Sequence, residues 1–196
     1  RSIKEDIKFG NVKYGITKNV EQDIEPTVSW QGSMMSQAMR DPLYLASLAI
    51  ANQDADFAGD LCIRCHAPAG WLSGRSTNPV DGNTSGDSLS DIDRDGVDCN
   101  FCHELIDPNS DNSEDLLVIN ALGVNKPPFV DGKFQSGNGV FIIDDDLSRR
   151  HGPYSDAKPA SHTAFGDSFY GESAYCATCH DVSNPVFTLN AATGNY

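Results

Sequence analysis

What this 196-residue chain has little of narrows its nature. No apolar run approaches the roughly 18 residues that a membrane-spanning helix needs. Basic residues are scarce, 14 Lys and Arg against 28 Asp and Glu, for a formal net charge of −14. Nucleic-acid binding calls for a basic patch, so nucleic acid is excluded as a partner. The acidic surface reads as solubilising, with steering of cationic partners or binding of divalent cations as its other uses. The opening Arg1-Ser2-Ile3-Lys4 has neither an initiator Met nor a signal-peptide pattern and reads as a mature or trimmed start. The last residues, Asn190 to Tyr196, form no obvious closing element, so the chain reads as part of something longer. There are only three Met and five His, and no Cys lies outside one repeated pattern.

That pattern is Cys62-Ile63-Arg64-Cys65-His66, Cys99-Asn100-Phe101-Cys102-His103 and Cys176-Ala177-Thr178-Cys179-His180. C-x-x-C-H is the attachment signature of c-type haem. Residues three apart share one helix face, so both sulfurs can meet one porphyrin edge while the adjacent His reaches the iron. Random placement would give about 0.005 such patterns in a chain of this composition. A disulfide framework would not put a His after every second Cys. A zinc site would use two C-x-x-C pairs, or one pair with His at finger spacing. The expectation is three covalent haems held by Cys62, Cys65, Cys99, Cys102, Cys176 and Cys179. Because such haems are attached outside the cytoplasm, the motif implies export to the periplasm or beyond.

Three irons have six axial positions. His66, His103 and His180 fill three as proximal ligands. His151 and His162 are the only other His, and both are expected as distal ligands. One position is then short, and four readings stay open. A thioether can fill it: Met34, Met35 and Met39 cluster just before the first motif, with Met34 and Met35 preferred. It can be an open site for a substrate or gas. The ligand can come from another chain or from sequence outside this one. A Lys or the N-terminal amine can also serve. Exchange of His between identical subunits does not cure the shortage.

Along the chain, residues 1–29 read as an extended or irregular arm. Trp30 to Met39 reads as a short helix with Ser33 as a cap. Asp41-Pro42 opens a second helix, to about residue 58, with Leu43, Leu45, Leu48, Ile50, Ala51 and Ala55 as a broad apolar face. Residues 73–98 read as a long surface loop and 107–117 as loop-like. Phe129 to Phe134 carries a hairpin signal around Asp131-Gly132. Gly139 to Ile143 reads as a buried strand, and Glu172 to Asp181 as a short helix. Asp91-Ile92-Asp93-Arg94-Asp95-Gly96 matches the front of a calcium loop, with oxygen ligands at Asp91, Asp93 and Asp95. Its closing Glu is missing, since the twelfth position is Cys102; a solvated acidic turn is the competing reading.

The three motifs with their flanks, including Ala67-Pro68-Ala69-Gly70-Trp71-Leu72, Gly96-Val97-Asp98 and Asp181-Val182-Ser183-Asn184-Pro185, resemble secreted bacterial multihaem c-type cytochromes. Met34-Met35 through Arg40-Asp41-Pro42 resembles the segment before the first haem in that group. The resemblance spans about residues 30–185. It implies electron transfer through closely packed haems, with other redox proteins or copies of the chain as partners. Relatives in the wider group include enzymes and conductive filaments, so a filament or complex subunit and a haem enzyme with one open-coordination haem stand as alternatives. The expected fold is mainly α with much irregular chain and minor β hairpins, a single trihaem domain over 1–196.

Overall fold

The structure, a computed structural model, describes residues 29–121 and 137–182, with the backbone of six short strands outside those ranges. Six helices are named here α1 Pro42–Asp54, α2 Ala58–His66, α3 Pro68–Leu72, α4 Cys99–Glu104, α5 Ser113–Ala121 and α6 Ser173–His180. Among the described residues, eight short strands form four two-stranded pairs. β1 Ser2–Ile3 pairs with β4 Gln22–Asp23, and β2 Ile7–Phe9 with β3 Val12–Tyr14. β5 Phe129–Val130 pairs antiparallel with β6 Lys133–Phe134, as the hairpin reading expects; Asp131 and Gly132 lie outside the described residues. β7 Arg149–Gly152 and β8 Thr163–Gly166 run parallel, with His151 opposite Phe165.

Helix α1 starts as its sequence dictates. Pro42 occupies the first turn, and Asp41 caps it by accepting from the Leu43 amide at 3.0 Å. It stops at Asp54, short of residue 58, and buries only Tyr44 and Leu48, one turn apart. Leu43, Leu45 and Ile50 stay exposed, so the broad inward face is not realised. Trp30 to Met39 is a run of turns and not a continuous helix. Ser33 does cap, accepting from the Ser36 amide at 3.2 Å. The Met35 carbonyl, however, accepts from Val97 at 3.1 Å, and Ser36 Oγ donates to the Gln31 and Ser33 carbonyls, which diverts the backbone from a regular ladder.

Three other expectations change. Residues 107–117 are not all loop, because α5 begins at Ser113; Asn112 Oδ1 accepts from the Asp115 amide at 2.8 Å and starts it. Gly139 to Ile143 is half-buried and bridges its neighbours only at Gly137 with Val140 and at Leu105 with Ile143. Residues 73–98 are irregular, but they are not merely surface. Thr84 is buried and exchanges hydrogen bonds with Asn52 of α1 at 2.6 and 3.1 Å. Leu89 enters the core.

The apolar interior is divided into three small clusters. Met39, Tyr44, Leu48, Ile63, Ala67 and Leu89 form the first, with Cys62 and Trp71 packed against it. Val97, Phe101 and Leu105 form the second, touching Cys102, Phe141 and Tyr175. Ile106, Val118 and Ile119 form the third. Phe141 stands edge-on between Trp71 at 5.8 Å and Phe101 at 4.9 Å, linking the first two clusters.

Candidate haem-attachment centre

All three C-x-x-C-H motifs lie on helices, so both thiols of each project from one face as the spacing requires. The motif helices are tied to one another. The Tyr175 hydroxyl, one residue before Cys176, donates to the Cys102 carbonyl at 3.1 Å. Tyr170 donates to the same carbonyl at 2.7 Å and to Leu105 at 2.9 Å, closing the C-terminal end of α4. At the other end of α6, Cys179 shares the wall of one cavity with Cys65. The interaction of the two thiols holds Cys65 below the ordinary thiol range and raises Cys179. Burial pushes Cys62 and Cys102 up. The third motif therefore touches both of the others.

Two of the motif histidines are held in the same way. His66 Nδ1 lies 2.8 Å from the Ala38 carbonyl and His103 Nδ1 lies 2.7 Å from the His151 carbonyl. A carbonyl only accepts, so Nδ1 carries the proton in each ring and the Nε2 lone pair is left for a metal. Tyr44 stacks on His66 with ring centres 3.6 Å apart and planes 7° from parallel, which fixes that ring further. His180 is exposed at the end of α6.

A cavity of about 470 Å³ opens beside the first motif. Cys62, Cys65, His66, Leu48, Leu61 and Cys179 are among its walls. It falls in the range of cofactor sites, roughly 300–1,000 Å³ with mostly apolar lining. A second cavity of about 470 Å³ borders Cys99 and is walled by Trp30, Gln37, Arg40, Asp95 and Asp98, a more polar set. Gly139, at φ 65°, passes so close to the first motif that a Cβ would stand 2.7 Å from Arg64 Cδ and 3.0 Å from Cys65 Sγ. Paired thiols, anchored imidazoles and an apolar cavity fit covalent haem. When bound, haem supplies a one-electron redox couple at its iron.

The remaining candidates are placed differently. His151 is buried, with Nε2 3.1 Å from Asp144 Oδ2 and Nδ1 3.7 Å from Asp115 Oδ1. Both ring nitrogens face carboxylates here, so ligation of an iron would require the ring to turn from them. His162 is half-buried, its Nδ1 3.3 Å from the Thr163 carbonyl. Met34 and Met35 are 88% and 43% exposed and line neither cavity, whereas Met39 is core.

Two carboxylates of the acidic segment pair with arginines. Asp93 is buried and forms a two-point pair with Arg75, Nε to Oδ2 and Nη2 to Oδ1 both at 2.7 Å. The Ser90 amide and hydroxyl donate to its Oδ2 as well, each at 2.8 Å. Asp95 pairs with Arg40 at 2.6 Å, and Asp91 is exposed. Two of the three expected calcium ligands are thus taken by arginines. Gly96 serves the turn, at φ 76°, where a Cβ would stand 2.3 Å from the Met35 carbonyl.

Sequence reasoning missed a buried group, Asp115, His151 and Asp167, brought together by α5, β7 and the turn after β8. Its signal is weak, since the three residues are far apart in the chain and the parallel β7–β8 pair that unites two of them has no local signature. Among the described residues no helix is long and apolar enough to cross a membrane. No family model, curated protein or solved structure matches this chain.

Proposed function

We propose that this chain is an exported trihaem c-type cytochrome that passes single electrons along closely packed haems. One observation carries the reading. The motifs have their first cysteines at 62, 99 and 176, yet the third is folded against both of the others: Cys179 shares the wall of one cavity with Cys62, Cys65 and His66, and Tyr175 donates to the Cys102 carbonyl. Irons bound at those sites would lie close together, which is the requirement of a haem chain. The polypeptide's part is to hold each ring by its thiols, present Nε2 of the proximal His, and exclude water with the walls around Cys62 and Cys65. Other redox proteins or further copies of the chain are the partners this role implies. The test is absorbance and mass of the purified protein. Three haems per chain, retained in acidified acetone, are expected. Colourless protein or extractable pigment overturns the reading.

A haem enzyme with one open coordination site is the second reading, favoured by the position of His151. With that ring held by Asp144, His162 is the one remaining His for three distal positions. A high-spin band and new bands with carbon monoxide support the enzyme. A wholly low-spin spectrum unaltered by carbon monoxide supports pure electron transfer.

A further inference from the structure

Beyond the cysteine motifs, the geometry points to a buried divalent transition-metal site formed by Asp115, His151 and Asp167, with Zn²⁺ as its probe. One ligand atom from each of the three lies within 4.8 Å of the others. The residues are 0%, 2% and 9% exposed. Asp115 Oδ1, His151 Nδ1 and Asp167 Oδ2 are each buried without a hydrogen-bond partner. Buried polar atoms are rarely left so, and three that converge on one point call for a common partner.

Each residue is anchored by its other atom, which leaves the unpartnered one aimed inward. Asn112 donates to Asp115 Oδ2 at 2.7 Å. The Phe169 amide donates to Asp167 Oδ1 at 2.8 Å. His151 Nε2 faces Asp144 Oδ2 at 3.1 Å, and Arg149 holds Asp144 through Oδ1 at 2.6 Å. A carboxylate accepts, so the proton sits on Nε2 and the Nδ1 lone pair points at Asp115 Oδ1, 3.7 Å away. A lone pair facing a carboxylate oxygen repels it unless a cation or a proton lies between. The carboxylate–histidine–metal relay has this same arrangement, with the outer carboxylate fixing the ring.

Charge leads to the same conclusion. Arg149 offsets Asp144, and Asp115 and Asp167 then remain as two buried carboxylates beside one imidazole. A divalent ion neutralises both. A nitrogen ligand with two oxygens suits a transition metal, whereas Ca²⁺ takes oxygens. Ligand atoms roughly 2 Å from one ion stand up to about 4 Å apart, close to the 4.8 Å that bounds these three. The ion would cross-link α5, β7 and the turn after β8, directly behind the His151 carbonyl that receives His103. None of its ligands is a C-x-x-C-H residue, but the site takes His151 from the distal position expected of it, so this ion and iron ligation by His151 exclude each other.

The test uses the full chain with its cysteines haem-linked, or alkylated where free, so that thiolates do not compete. After treatment with a chelator, Zn²⁺ and Ca²⁺ are titrated separately by calorimetry, and retained metal is counted after desalting. One Zn²⁺ per chain and a raised Tm are expected, with Ca²⁺ held far more weakly. Asp167→Asn is expected to weaken Zn²⁺ by at least about a hundredfold. The same variant without metal should match or exceed the parent in stability, because a buried like charge is gone. Asp115→Asn serves if that variant does not fold. Folded parent that retains no Zn²⁺, equal Zn²⁺ affinity in parent and variant, or Ca²⁺ held as tightly as Zn²⁺ overturns the site.

Discussion

At the scale of single residues, Asp93 shows how an acidic sequence can hide a structural charge. The Arg75 guanidinium, backed by Ser90, holds the Asp93 carboxyl down at about 2, against an ordinary 3.8. A depressed carboxyl gives stability that is full above its unfolded value and lost as pH falls through the folded one. The pair should thus contribute on the order of 2 kcal/mol at neutral pH, lost between about pH 4 and pH 2. Acid titration of folding by circular dichroism checks this, with Asp93→Asn flattening the transition in that window. Arg75→Met leaves a buried carboxylate unpaired and should cost about 3 kcal/mol in urea unfolding. Gly96→Ala adds a Cβ where φ is 76° and the Met35 carbonyl is 2.3 Å away. The turn must open, at a cost of about 1–3 kcal/mol by the same measurement.

At the scale of elements, α4 depends on its ends. It has six residues, too short to persist alone. Asp98 caps its start by accepting from the Phe101 amide at 2.7 Å, and Tyr170 and Tyr175 close its other end. Asp98→Ala should cost about 1 kcal/mol. Tyr170→Phe strands the Leu105 carbonyl, while the Cys102 carbonyl keeps Tyr175; it should cost about 1 kcal/mol, and equilibrium denaturation separates it from the parent. Burial pushes the Tyr170 and Tyr175 phenols far above their ordinary value of 10.0. Phenols that stay protonated only in the folded state give stability that is full below pH 10 and declines above it. Alkaline unfolding should therefore begin near about pH 10, with Tyr170→Phe less sensitive.

At the scale of the molecule, three small clusters share twelve of the thirteen buried apolar residues among those described, and the other, Phe169, packs beside Tyr170 and Tyr175. Leu43, Leu61 and Val182 stand exposed at the rim of the first cavity. On the proposed reading, porphyrin discs would cover such surface and join the clusters, so attachment and folding should be coupled. Substituting Ser for all six cysteines is expected to lower the helical far-UV signal sharply. A six-Ser chain with the parent spectrum would show that the polypeptide folds by itself.

What the amino-acid sequence determined is local. The C-x-x-C-H spacing puts two thiols and an imidazole on one helical turn wherever it occurs, and Asp41-Pro42 starts a helix by its own chemistry. The start of α5 carries its own signal in Asn112-Ser113-Glu114-Asp115 before Leu116-Leu117-Val118-Ile119, but its polar residues resemble a loop and are read as one. Only the tertiary structure decided which groups meet. Cys65 reaches Cys179, and His151 turns to Asp144 and Asp115. Asp93 and Asp95 pair with Arg75 and Arg40. Those choices come from packing between segments distant in the chain, where burial leaves each polar group few available partners, and no pattern of neighbouring residues encodes which partners those will be.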